Sequence, residues 1–255
     1  MTAVQKNSLF LHMGPGFHAQ IEGELFSTAH PDVIFWSQPK VSSFALLRSE
    51  VEAFVSSLPS EKIDLIAHSF GAQLVLGLMQ KLPQKIGRIT LLNSAVDPFE
   101  CFLNLGLQLR IVTPAQLRDI RAGDVAKKME YIFKVATMPG FDDHYWYSGQ
   151  KKKDFAEIFA RFPQLDVGVF AEIFSDYLRS RIQFLDSIKP WDKSVEIYTS
   201  ENDNLLDFEK DVFPWKQFFP KARWVMLKNS GHYALFEDKA LSATVFQRHR
   251  KLDGF

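Results

Sequence analysis

The stretch IDLIAHSFGAQLVLG, residues 63–77, joins two patterns across a single serine. The apolar run over 62–68 reads as a buried strand, and Leu74, Leu78 and Leu82 recur at helical spacing before Pro83. Ser69 falls where the strand gives way to the helix. A serine in such a place is ordinarily a helix cap or a turn residue. The other reading is that the turn exists to display it. A nucleophile at a strand-to-helix turn is lifted clear of the sheet, and the tight turn tolerates only small neighbours. Ala67 and Gly71 stand two positions to either side, with Ala72 next. The helix behind Ser69 also brings unpaired N–H groups and positive dipole potential to its N-terminus, where a developing oxyanion would sit.

Outward from this turn, short β-rich runs alternate with helical patterns, which predicts βαβ units and a mainly parallel sheet. Strands are expected over 7–13, 33–38, 62–68, 88–95, 194–200 and 222–230. A short helix is expected within 17–28, and an amphipathic one carries Phe44, Leu47, Val51, Phe54 and Leu58 up to Pro59. Helix-like sequence also fills 208–219 and closes the chain over 233–251. The interval between Asn93 and Val195 is far longer than the dozen or so residues a crossover needs. It is rich in helical patterns and aromatic residues, with 142–154 its least helical part, and reads as a helical cap over the sheet's C-terminal edge. The expected division is a core of 1–97 and 189–255, with 98–188 as the cap and its return helix.

Composition narrows the function classes. Thirty basic and thirty acidic side chains cancel, so no global field points to nucleic acid or an anionic membrane. Cys101 is the one cysteine, which rules out an intrachain disulfide and a multi-cysteine zinc site. No uncharged apolar run approaches the ~18 residues of a membrane helix, and the N-terminus lacks a signal-peptide pattern. A cytoplasmic protein is the expectation. The histidines and acids show no metal-ligand spacing, and no cofactor is called for.

Serine needs a base, and the base needs a group to orient it. His232 follows the last strand in a loop opened by Gly231, and Asp203 follows the strand before it. In a parallel sheet these strand ends share one edge with Ser69. Asp203 has rivals in Glu201 and Asp207 on the same loop and in Asp97 after the 88–95 strand. His12 and His68 read as structural, His18 as lining a pocket mouth or solvated, and His30, His144 and His249 as surface residues. Of Phe99, Phe102, Phe133, Phe141, Phe155, Phe159, Phe170 and Phe174, most should be core and some should line an apolar pocket. Lys151, Lys152 and Lys153 read as a solvated charge run, with a docking patch for an acidic carrier protein or a CoA phosphate as the minority reading.

From Leu9 to about Lys251 the chain resembles the α/β-hydrolase family, in its capped branch of esterases and carbon–carbon bond hydrolases. The Gly-x-Ser-x-Gly elbow of the family is similar to Ala67-His68-Ser69-Phe70-Gly71, with Ala in place of the first Gly. The early His-Gly loop is similar to His12-Met13-Gly14-Pro15-Gly16, with Met13 where Gly is usual. The resemblance implies a Ser69–His232–Asp203 triad and an oxyanion hole of the Gly14 and Phe70 N–H groups. It also implies that the antiparallel pair preceding the usual third strand is missing, leaving about six parallel strands. The implied activity is hydrolysis of a carboxylic ester through an acyl-enzyme. The same residues would serve a thioesterase or a carbon–carbon bond hydrolase. A proline-releasing peptidase fits less well, because Ala72 stands where that branch has a second glycine. A non-catalytic ligand-binding descendant of the fold is the alternative of another class.

Overall fold

The computed structural model describes residues 7–12, 14–162 and 165–247. Six strands form one parallel sheet: β1 (Ser8–Leu11), β2 (Val33–Phe35), β3 (Ile63–His68), β4 (Ile86–Leu92), β5 (Val195–Ser200) and β6 (Arg223–Leu227). Their order across the sheet is β2-β1-β3-β4-β5-β6. All six expected strands are present, with ends that differ by up to three residues: most are trimmed, while β4 begins two residues earlier and ends three earlier than expected. A parallel sheet buries both faces, so its strands read as continuous apolar runs rather than as alternation. Leu9, Leu11, Leu65 and Ala67 pack into one core, while Phe10, Ile66, Leu92 and Tyr198 pack into another on the opposite face.

Helices α1 (Gln20–Phe26), α2 (Phe44–Ser57) and α3 (Gly71–Lys81) follow the first three strands as expected. Ser43 caps α2 by accepting the Leu46 N–H at 3.1 Å. Between β4 and β5 the chain builds an insert of five helices: α4 (Pro98–Gln108), α5 (Pro114–Ala122), α6 (Val125–Ala136), α7 (Gly149–Arg161) and α8 (Val167–Ser187). Helix α8 is the return to the core. Its Phe184 and Tyr177 rings both meet Phe44 of α2 edge-on, with centroids 5.3 Å away. None of the described helices is long and apolar enough to cross a membrane.

The structure corrects several local expectations. Pro214 has no N–H to give an α-helix, and 208–219 instead forms a wide turn over Phe208–Val212 followed by a 3-10 turn over Phe213–Gln217. The closing helix is broken at Asp238 into α9 (Ala234–Glu237) and α10 (Lys239–Gln247), because the Asp238 carboxylate accepts the Ala240 and Leu241 N–H groups and starts a new turn. The 142–154 stretch is less irregular than expected: a 3-10 turn covers Phe141–Tyr145, and Ser148 caps α7. Lys151, Lys152 and Lys153 therefore lie on a helix, and Lys152 ion-pairs with Asp142 and Asp143 at 2.5 and 2.6 Å. His30 is buried rather than on the surface, its ring 4.9 Å from that of Phe246. His249 lies outside the described residues.

One ionic cluster ties the insert to the core. Asp97 caps α4 through the Phe99 N–H, accepts the Tyr177 hydroxyl at 3.1 Å and ion-pairs with Arg181 of α8. The guanidinium also reaches Glu100 and lies 4.7 Å from the centre of the Phe99 ring. Burial pushes the Asp97 carboxyl up, and Arg181 opposes that rise. Breaking a buried pair from one side strands the other charge, typically at about 3–5 kcal/mol. Arg181→Met is therefore expected to lower the urea unfolding free energy by about that amount, and by well under half as much when combined with Asp97→Asn.

Candidate active site

Strands β2 and β3 flank β1 on opposite sides, so the chain order reverses there and a crevice opens beyond the strand ends. The loop after β1 and the loop after β3 both enter that crevice. Ser69 directly follows β3 with φ +52, in the left-handed region that residues other than glycine seldom adopt. Its N–H donates to Leu92 O at 3.0 Å, and its carbonyl accepts the Ala72 N–H at 3.1 Å, so the turn is fixed on both sides. A Cβ at Gly71 would stand 2.5 Å from Leu11 O and 2.8 Å from His12 O. Those are backbone atoms of the β1 end and cannot step aside. The glycine in the elbow thus lets the turn press against β1, which brings the two loops together.

The later strand ends supply the other groups. His232 Nδ1 and Asp203 Oδ2 are 2.7 Å apart, both residues buried. The second oxygen of Asp203 accepts the Leu205 N–H at 3.0 Å, so the carboxylate is oriented by its own loop. The rival acids are engaged elsewhere: Asp97 with Arg181 and Tyr177, Asp207 with Lys210, while Glu201 is exposed. Of the acids weighed from the sequence, Asp203 is the one that meets His232.

Two further residues hold the His232 loop. The His232 carbonyl lies 2.9 Å from His68 Nε2 and 3.0 Å from Asn93 Nδ2. Asn93 is itself left-handed, φ +42, at the end of β4. Its amide also reaches Gly231 O at 2.9 Å and Ser200 Oγ at 3.0 Å, and its Oδ1 accepts the Ser200 N–H at 2.8 Å. One buried amide thus ties β4, β5 and the histidine loop together. Sequence reasoning passed over Asn93, because an asparagine after a strand reads as turn chemistry.

Ser69, Gly14, Phe70 and His232 line a common cavity of about 90 Å³. Its remaining wall is almost wholly apolar and comes largely from the insert, with Phe102, Phe141, Phe170 and Phe174 prominent. A larger chamber of about 600 Å³ shares Phe17, Phe102, Phe141, Tyr145 and Phe170 with it and continues between α6, α7 and α8. The Phe70 N–H stands at the start of α3, where donors lack intrahelical partners. The Gly14 N–H faces His12 Nδ1 at 3.5 Å, a long and weak contact. Met13 lies outside the described residues. Among the described residues no three histidine, cysteine or acidic side chains gather as a metal site.

A family model for the alpha/beta hydrolase fold matches residues 26–239. No curated protein sequence matches significantly. Among solved structures, a proline iminopeptidase-related protein from Thermus thermophilus superposes with a TM-score of 0.68 at 18% identity, over 96% of this chain and 89% of that one. The 2-hydroxy-6-oxo-6-phenylhexa-2,4-dienoate hydrolase from Rhodococcus sp. strain RHA1 gives 0.59 at 15% identity, over 96% and 91%. An epoxide hydrolase from Bacillus megaterium gives 0.58 at 14% identity, over 95% and 92%. At these identities the likeness is one of fold.

Burial sets the charge state of the groups around the site. His12 is pushed down to about 3, chiefly by burial, and stays neutral. His68 is pushed down by burial and by nearby His232, so it too is neutral beside the pair. The Tyr145 hydroxyl, pushed up by burial, stays protonated. Close enough to the Tyr233 hydroxyl to act on it electrostatically, the buried Glu22 of α1 is raised to about 7, with burial the main cause. A carboxyl with a raised folded pKa holds more protons folded than unfolded between about 4.5 and 7. Stability from this group is therefore present at pH 4.5 and is lost as pH rises to 7. Glu22→Gln is expected to flatten that part of the stability–pH curve by roughly 2–3 kcal/mol, measured by urea unfolding at pH 5 and pH 8.

Proposed function

The chain belongs to the α/β-hydrolase family, and on that premise we propose that it is a serine hydrolase of carboxylic esters with a small or medium apolar group. The observation that carries this is the buried 2.7 Å His232–Asp203 pair opening, with Ser69, onto one apolar cavity. In the proposed reaction Ser69 Oγ adds to the ester carbonyl while His232 Nε2 takes its proton, and Asp203 holds Nδ1. The Phe70 N–H and the Gly14 N–H, released from its weak contact with His12, receive the oxyanion. The histidine then protonates the departing alcohol. Water, activated by the same imidazole, releases the acid and restores Ser69. The insert acts as the cap that closes this cavity from water.

Chemistry and lining separate this reading from its neighbours. A serine alkoxide opening an epoxide would leave an alkyl ether, which water does not hydrolyse under mild conditions, so a serine at the elbow favours carbonyl substrates. A dienoate carries a carboxylate, yet among the described residues no lysine or arginine lines the Ser69 cavity. The nearby cations are already paired, Arg181 with Asp97 and Lys152 with Asp142 and Asp143. A peptide amino terminus would call for an acid there, and among the described residues that lining includes none. A neutral, apolar ester fits the wall best. A thioester of the same shape would react by the same steps.

Labelling with a fluorophosphonate probe, followed by peptide mapping, tests the reading. A single adduct on Ser69, absent from Ser69→Ala, is expected, together with turnover of p-nitrophenyl esters. Ser69→Ala should lower that turnover by at least about 10³-fold, and Asp203→Asn by about 10³–10⁴-fold. A folded protein that takes the probe into its cavity without forming an adduct overturns the proposal and leaves an apolar-ligand binder as the better account.

A further inference from the structure

Glu237 ends the short helix α9 and is buried five residues beyond His232. Its carboxylate accepts three backbone N–H groups. One oxygen takes those of Tyr147 and Ser148, each at 2.9 Å, and the other takes that of Gly231 at 2.5 Å. The first two belong to the insert, in the link between the 3-10 turn and α7. The third belongs to the loop that carries His232. A single side chain therefore binds the two parts of the chain that meet over the cavity.

Other contacts show how closely these parts are joined. A Cβ on Gly231 would stand 2.6 Å from Tyr147 N, 2.9 Å from Trp146 C and 3.0 Å from Tyr145 O, so this link of the insert lies directly on that glycine. The Tyr233 N–H donates to Tyr145 O at 3.1 Å. The Tyr145 ring meets the His232 ring edge-on, centroids 5.4 Å apart, and forms part of the wall of both cavities. Wherever residues 145–148 move, the histidine and the pocket wall are both affected.

We propose that Glu237 is a positioning residue that clamps the 145–148 link of the insert onto the His232 loop, so that closing the pocket wall and seating the imidazole are one event. The catalytic half of this statement rests on the serine-hydrolase reading above. The charge type matters. A carboxylate offers acceptors on both oxygens, and bonds to it are about twice as strong as those between neutral groups. A glutamine of the same shape presents an NH₂ to one side. It must set that group against Gly231 N–H or against the two insert N–H groups, so it cannot hold both parts.

The test compares wild type, Glu237→Gln and Ser148→Ala. The last removes the hydroxyl that caps α7 but leaves all three N–H groups in place. Two readouts are taken on the full chain: hydrogen exchange of peptides covering 143–149 and 229–234, and kcat/KM for a p-nitrophenyl ester per fluorophosphonate-titrated site. In Glu237→Gln both peptides should exchange faster together, by about tenfold or more. Its kcat/KM per titrated site should fall about 10–100-fold, mostly in kcat, as misplacement of a catalytic group does. Ser148→Ala should quicken exchange in the first peptide alone. Exchange rising in only one peptide of Glu237→Gln, an unchanged rate per titrated site, or equal effects in both variants would overturn the clamp. A wild-type protein that the probe never labels would sink the hydrolase reading, while the exchange measurement still decides whether Glu237 couples the two segments.

Discussion

The contact on which the site depends is the approach of the Ser69 turn to the end of β1. Two carbonyl oxygens, of Leu11 and His12, occupy the space a side chain at position 71 would need. Because they are backbone atoms inside a hydrogen-bonded sheet, nothing nearby can relax to make room. The turn is left-handed at Ser69, and a residue held there normally costs about 1–3 kcal/mol. Two backbone hydrogen bonds and the packing of α3 sustain it. From this contact follow the crevice between the loops after β1 and β3, the exposure of Ser69, and the place where the later loops converge.

That convergence is held by buried polar groups whose partners are backbone atoms more often than side chains. Asn93 and His68 share the His232 carbonyl, Leu205 N–H steadies Asp203, and Glu237 gathers three N–H groups. Each has a low-dielectric surrounding in which an unpaired polar group is costly, so the arrangement is specified as a network. The insert reverses the pattern. Its contribution to the cavity is apolar and rich in aromatic rings, and its cations Arg181 and Lys152 are paired, Arg181 with Asp97 of the core and Lys152 with Asp142.

Much of the fold was legible in the residues. Six apolar runs became six strands, and the serine between Ala67 and Gly71 marked the elbow, because steric demands on a strand-to-helix turn act within a few residues. That His232 would meet an acid from a neighbouring strand end was readable, with Asp203 the first candidate, since a parallel sheet sends all such ends to one edge. The misreadings were local. Pro214 turned an expected helix into tight turns, Asp238 split the last helix, and Lys151–Lys153 proved helical. In each, a single capping or N–H-lacking residue outweighed the apolar spacing around it.

Sequence alone determined the sheet, the chain order of serine, acid and histidine, and the balance of charge, because these rest on short-range periodicity and on charge totals. Only the tertiary structure decided which acid meets the histidine and removed Asp97 by giving it to Arg181. Only there do Asn93 and Glu237 acquire their tasks, the one across strand ends and the other across some ninety residues of chain. Hydrogen bonds to backbone atoms leave no signature in residue type, since every residue offers the same amide and carbonyl groups. What such a side chain holds is set by which main chain folding brings beside it.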